Sequence, residues 1–142
     1  MAATHTICKL SMCIQKKTHN ASLSTVKALC SAINRGDIDA AINFYEPDAT
    51  IISESRTARG LESIRGVFKK FLRIKPNIII RHESLIEDDD FIICCFLWEL
   101  SGISINGSRF NLEGNSIDVL RKQSNGEWRI AIEAPWGASI SI

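Results

Sequence analysis

Acidic residues are absent from the first quarter of this chain. All 16 Asp and Glu lie at or after Asp37, while residues 1–36 carry Lys9, Lys16, Lys17, Lys27 and Arg35. That opening segment holds +5 and the remainder, with 12 basic residues against the 16 acids, holds −4. The whole chain is close to neutral at +1, which removes any bulk electrostatic case for nucleic acid. Long apolar runs are missing too. The longest, Phe91 to Trp98, has the length of a strand, far below the roughly 20 residues of a membrane span. The five cysteines (Cys8, Cys13, Cys30, Cys94, Cys95) include no C-x-x-C pair and no zinc spacing. They read as small buried hydrophobes in a reducing, cytoplasmic setting. No phosphate loop and no flavin or nicotinamide fingerprint occurs, so no cofactor is implied. The acidic run Glu87 to Asp90 lacks a loop that would wrap a metal and reads as a solvated turn.

An acid-free, Ser/Thr-bearing start shares part of the transit-peptide pattern but has no arginine before Arg35. Lys9 interrupts the apolar run that a secretory signal needs. Residues 1–21 are therefore expected to be an N-terminal extension, and 22–142 a single domain long enough to bury a core.

Within 22–35, Leu23, Val26, Leu29, Cys30 and Ile33 recur at helical spacing. Gly36 can take the left-handed conformation that ends a helix, and Asp37 can cap the next one at once. That second helix is short, with Ile38, Ala41, Ile42 and Tyr45 on one face and Pro47 as its stop. Ala49 to Ile52 reads as a strand. A third helix opens at Gly60-Leu61-Glu62-Ser63, with Ile64, Val67, Phe68, Phe71 and Leu72 on its apolar face and Pro76 beyond its end. The period then changes to two. Strands are expected over Ile78–Leu85, Phe91–Ser101, Arg109–Gln123 and Glu127–Trp136, joined by the hairpin signals Asn106-Gly107 and Asn125-Gly126, with Gly114 as a bulge or bend. Helices first and a meander afterwards make an α+β protein. Phe91 to Trp98 is apolar on both strand faces, which predicts helices against one face and a second copy of the chain, in a two-fold homodimer, against the other.

The stretches Asn34-Arg35-Gly36-Asp37, Pro47-Asp48-Ala49-Thr50, Ala58-Arg59-Gly60-Leu61-Glu62, Ser116-Ile117-Asp118-Val119-Leu120-Arg121, Asn125-Gly126-Glu127-Trp128-Arg129 and Pro135-Trp136-Gly137 come in an order and spacing that resembles the nuclear-transport-factor-2-like superfamily. The resemblance is to its SnoaL-like and ketosteroid-isomerase-like members. It implies a cone-shaped barrel, with three N-terminal helices packed on a strongly bent antiparallel sheet around a pocket. It also carries site positions. The isomerases' base falls here on Ser53, their first oxyanion tyrosine on Leu29, a supporting tyrosine on Phe68 and the second oxyanion donor on Asp118. Only Asp118 keeps the chemistry, so ordinary steroid isomerisation is not expected. A one-residue slip would bring in Glu54, but strand alternation points it away.

Asp118, placed by the resemblance in an apolar strand facing the pocket, is either a carboxyl of raised pKa that donates a hydrogen bond or a structural partner of Arg, His or a backbone amide. His82, inward if Ile78 and Ile80 are inward, is either an acid–base partner of Asp118 or a satisfied rim or core residue. The resemblance puts Tyr45, Val67, Phe71, Phe96, Trp98, Ile132, Ala134 and Trp136 on the pocket wall, where aromatic groups suit a flat apolar ligand. Strand parity sends Glu99, Arg121, Arg129 and Glu133 to the opposite face. Two functions follow from the resemblance. One is a pocket protein for a small apolar or aromatic molecule, with cofactor-free proton transfer, isomerisation or cyclisation as its reaction if it is an enzyme. The other is a non-catalytic scaffold for dimerisation or a protein partner.

Overall fold

A computed structural model describes residues 21–137. The expected extension over residues 1–21 thus lies, but for residue 21, outside the described residues. The first helix, α1, runs over 21–34. It ends as its glycine predicts: Gly36 has φ +75°, and the Gly36 and Asp37 amides donate to the carbonyls of Ile33 and Ala32. The Asp37 carboxylate then accepts from the Ala40 amide at 2.9 Å and caps α2, Ile38–Ile42. The chain continues through β1 (Tyr45–Ile52), β2 (Thr57–Arg59), α3 (Leu61–Phe71), a 3₁₀ turn, β3 (Asn77–Glu87), β4 (Phe91–Ile103), β5 (Arg109–Lys122) and β6 (Trp128–Ala134).

Three expectations about these elements change. The second helix does not run on to Pro47, because β1 already starts at Tyr45. Pro47 sits where the β1–β6 pairing is interrupted, between Tyr45↔Ile130 and Thr50↔Ile132, so its missing N–H leaves no ladder bond unmade. The sheet is neither purely antiparallel nor closed. Its order is β2-β1-β6-β5-β4-β3, with β1 parallel to β6 and with β2 and β3 as free edges. Hairpin signals report only strands adjacent in sequence, and the β1–β6 pair joins the two ends of the fold. Gly114 is not a bulge, since it stands in unbroken register opposite Trp98.

The helices lie against the inner face of the curved sheet. Val26, Leu29 and Ala32 of α1 and Ile64 and Phe68 of α3 pack there with Ile92, Leu120 and Ile130, the last three fully buried. Burying one such side chain contributes about 1.5–3 kcal/mol. The far edge is tied to α1 by Asn34, whose side-chain amide donates to the Ile78 carbonyl at 2.9 Å while its oxygen accepts from the Ile78 amide at 2.7 Å. Both polar backbone groups of that edge residue are thereby satisfied.

Two β-bulges decide which side chains reach the interior. In β3 the register shifts between Ile80↔Trp98 and His82↔Leu97. In β6 it shifts between Val119↔Ile132 and Leu120↔Ile130, with Ala131 as the extra residue. Each reverses the alternation beyond it.

Gly114 is required by its partner across the ladder. The Trp98 indole lies flat over it, so an added Cβ would stand 2.2 Å from Trp98 Cζ2. Gly114→Ala must push out a ring whose Nε1 donates to the Pro135 carbonyl at 2.9 Å. A loss of about 1–3 kcal/mol is expected, as for overpacking elsewhere, together with a shift in tryptophan emission. Urea denaturation followed by fluorescence measures both, and an unchanged midpoint would mean that the indole moves aside freely.

Candidate functional site

Between the helices and the open end of the sheet lies a cavity of about 320 Å³. Its walls are mostly apolar: Leu29 and Ile33 of α1, Val67, Phe68 and Phe71 of α3, and Ile78, Ile80 and Trp98 of β3 and β4. Trp98 and Trp136 meet edge to face at its mouth, with ring centroids 4.8 Å apart.

The two carboxyls of its lining come from one row across the sheet. Register aligns Ala58, Ile51, Glu133, Asp118, Cys94 and Leu85 from β2 through β1, β6, β5 and β4 to β3. Two carboxyls therefore sit side by side in an otherwise apolar row, with Cβ atoms about 4.5–5.5 Å apart for directly opposed residues. Both line the cavity, and Ser116 flanks them. Asp118 is 3% exposed and its Oδ1 has no hydrogen-bond partner among the described residues. Glu133 accepts a short hydrogen bond from the hydroxyl of Tyr45, itself buried beneath the cavity.

Burial and the neighbouring Glu133 charge hold the Asp118 carboxyl well above the usual aspartate range. Burial also raises Glu133, but the Tyr45 hydroxyl works the other way by stabilising its carboxylate. Tyr45 is in turn raised well above its ordinary value by burial and by Glu133. Burial, with Glu133 and Asp118 nearby, pushes the Cys30 thiol up to about 12, and burial with Asp118 does the same to Cys94. Such shifts favour the protonated thiol, the opposite of what activates a nucleophilic cysteine. No group of three or more His, Cys, Asp or Glu that could hold a metal occurs among the described residues.

Of the residues the sequence singles out, Asp118, Val67, Phe71, Trp98 and Trp136 line the cavity. Tyr45 and Phe96 lie beside it in the core, 1% and 2% exposed. Ile132 and His82 are corrections, and the two bulges are the reason. His82 pairs with exposed Leu97 on the outer face, so it does not meet Asp118. Ile132 pairs with Val119 on that same face and is 41% exposed. Glu133, expected outward, takes the inward place instead. The positions assigned through the isomerase resemblance, Leu29, Ser53, Phe68 and Asp118, all line the cavity, whereas Glu54 does not.

The SnoaL-like domain family matches residues 26–130. No curated protein matches the sequence. Among solved structures, a ketosteroid isomerase-like protein from Erwinia carotovora atroseptica is 20% identical with a TM-score of 0.71, covering 81% of this chain and 92% of its own. A nuclear transport factor 2-like superfamily protein from Salmonella enterica is 16% identical with a TM-score of 0.75, covering 89% and 94%. A protein from Catenulispora acidiphila in complex with S-DNPA is 14% identical with a TM-score of 0.72, covering 83% and 91%. These identities speak for the fold alone. The fold neighbours, the helices packed on a curved six-stranded sheet, and the family match over most of its length agree: this chain belongs to the SnoaL-like domain family.

Proposed function

We propose that this protein binds a small apolar or aromatic molecule in the cavity and transfers protons on it without a cofactor, with Asp118 as the acid and Glu133 as the base. The observation that carries the reading is the cross-strand carboxyl pair facing an apolar cavity, with Asp118 Oδ1 unpartnered. Two adjacent carboxyls, Asp118 buried and Glu133 partly buried, share protons unequally. The Tyr45 bond favours charge on Glu133, so the proton resides on Asp118. The Asp118 O–H can then donate to a carbonyl oxygen while Glu133 takes a proton from the adjacent carbon, and return of that proton to another carbon gives the isomer. Trp98, Trp136, Val67 and Phe71 would hold the flat body of the ligand. The Catenulispora acidiphila relative, solved with a small molecule, supports such use of the fold.

The protein acts as a cytoplasmic homodimer of residues 22–142 in this reading. Support comes from the outer sheet face, where Ile86, Ile93, Val119 and Ile132 line up across four strands and Leu97 lies beside them. Ile93, Leu97 and Ile132 are 37%, 46% and 41% exposed in the single chain. An apolar strip of that extent is characteristic of an interface. No helix among the described residues is long and apolar enough to cross a membrane.

Three outcomes check this account. With 2-tetralone as the probe ketone, the wild type should accelerate α-proton exchange into deuterium oxide, read by NMR. Glu133→Gln and Asp118→Asn should each lower the rate by about 10²-fold or more, as for loss of a general base or acid. No acceleration by the wild type would remove the proton-transfer role.

The second outcome concerns stability. Both carboxyls bind protons more tightly folded than unfolded, where their ordinary values are 3.8 and 4.5. The folded state therefore holds more protons from about pH 4 up to its own raised pKa values, and stability falls as pH rises through that window. Melting temperatures should decline with pH there, and Asp118→Asn should flatten the decline. A flat profile in the wild type would contradict the assigned protonation. Thirdly, Ile93→Asp on the outer face should halve the mass seen by native mass spectrometry while leaving the fold intact. A wild-type monomer would remove the dimer.

A further inference from the structure

The cavity lining carries a positive charge as well as the two acids. It includes one cation, Arg56, on the tight loop between β1 and β2. That loop closes on itself. The Ser53 amide donates to the Arg56 carbonyl at 2.9 Å, the Ser53 hydroxyl donates to the same carbonyl at 2.8 Å, and the Arg56 amide donates back to the hydroxyl at 3.3 Å. The backbone needs are met locally, and the exposed guanidinium has no acidic partner among the described residues. Glu54 shares the loop but neither bridges to Arg56 nor lines the cavity.

The surroundings have the same sign. Residues 56–81 contain eight basic residues against the single acid Glu62. Arg65 is tied to Asp39 and Arg81 to Glu99, at 2.7 Å and 2.6 Å. Arg59, Lys69, Lys70, Arg73 and Lys75 are exposed and make no ion pair among the described residues. The last four lie on α3 and the turn after it, the same element that supplies Val67 and Phe71 to the cavity wall. A field of one sign beside a low-dielectric opening draws counter-charged molecules toward it.

We infer that the ligand is an amphiphilic anion: an apolar or aromatic body carrying a carboxylate, sulfonate or similar group that rests on Arg56. This deepens the pocket reading above and rests on it. Arg56 and the two acids also set the ligand's direction. An anionic head cannot lie beside Asp118 and Glu133, where a second negative charge in an apolar wall is strongly disfavoured, so it stays at Arg56. The body then extends toward the carboxyl pair, passing the tryptophans. Arg56 thus selects for charge and fixes which end of the ligand meets the acid and base. It is a specificity and positioning residue, with no part in moving protons.

The test compares two fluorescent probes with the same anilinonaphthalene body. One, 1-anilinonaphthalene-8-sulfonate, carries the anion, and the other, N-phenyl-1-naphthylamine, does not. The wild type should bind the sulfonate about tenfold more tightly than the neutral probe, the scale of one charge-assisted contact at a half-exposed site. Arg56→Gln should abolish that difference and leave the neutral probe's affinity unchanged, while Arg56→Lys should retain part of it. Raising salt from about 0.05 M to 0.5 M should narrow the wild-type difference, because exposed charges are screened. Equal affinity for the two probes in the wild type overturns the inference. So does an equal loss of both in Arg56→Gln, or sulfonate binding that ignores Arg56→Gln, as for dye held on the outer sheet face. Those results leave the pocket reading standing, whereas failure of both probes to bind overturns the two together.

Discussion

Two carboxyls placed in opposed positions of neighbouring strands, within a row otherwise made of Ala58, Ile51, Cys94 and Leu85, constrain everything around them. Removing a carboxylate from water without a cation is costly enough that the group takes up a proton instead. No basic residue among the described ones pairs with either acid. Among the described residues, relief comes from the Tyr45 hydroxyl, which donates to Glu133. The asymmetry separates the two acids: burial raises both, but only Glu133 has a hydrogen bond that opposes the rise, while Asp118 Oδ1 has no partner among the described residues. Tyr45 can supply that hydroxyl because it opens β1 and is buried below the cavity against Phe68, their ring centroids 5.9 Å apart. The chemistry of the pair therefore depends on where β1 begins.

Regular alternation made part of this visible from sequence. The family resemblance places Asp118 inside, since Ile117 and Val119 beside it are as apolar as Leu120, and the uninterrupted pairing of its strand with β4 from Phe91↔Arg121 to Ile103↔Arg109 keeps that placement. The resemblance likewise puts Trp98 inward, and parity counted from Asp118 and Trp98 correctly sends Glu99 and Arg121 outward, where they form ion pairs with Arg81 and Glu46. It fails beyond a bulge. His82 and Glu133 each lie past an extra residue, and one exchange of faces moved the expected base out of the site and the actual second acid into it. Both bulges leave a trace in the chain. Ile130-Ala131-Ile132 is apolar at three successive positions, and Arg81-His82-Glu83-Ser84 is polar at four, and neither pattern alternates. The parallel β1–β6 pair leaves no such trace, because its partners are distant and no turn sequence joins them.

β4 shows how one strand serves two purposes. Ile92, Cys94 and Phe96 are buried against the helices, and Phe91, Ile93 and Leu97 are the exposed counterparts between them. Charged residues frame that outer strip: the Arg121 guanidinium stacks on Phe91 at 4.9 Å from the ring centroid and also holds Glu46 at 2.9 Å. Exposed pairs of this kind contribute little to stability. In the proposed dimer their placement would matter more, since an apolar strip with a charged margin favours one mode of association over many.

The cavity itself argues against a purely structural part for this fold. A scaffold gains from a filled interior, because voids forfeit contacts on every wall and destabilise in proportion to their volume. Here Gly114 stands opposite Trp98, so the indole lies flat on the sheet and leaves the space beside it open. Asp118 and Glu133 add a desolvation cost that apolar residues of like size would not incur. Three features that each lower stability thus converge on one volume: a cavity, two acids with no cationic partner among the described residues, and a glycine in mid-strand. A fold selected only to hold two copies together has no reason to keep them in one place. The proposed pocket function would use all three: the space would receive the ligand's body, the glycine would set the ring that flanks it, and the Asp118 oxygen without a partner among the described residues would hydrogen-bond the ligand.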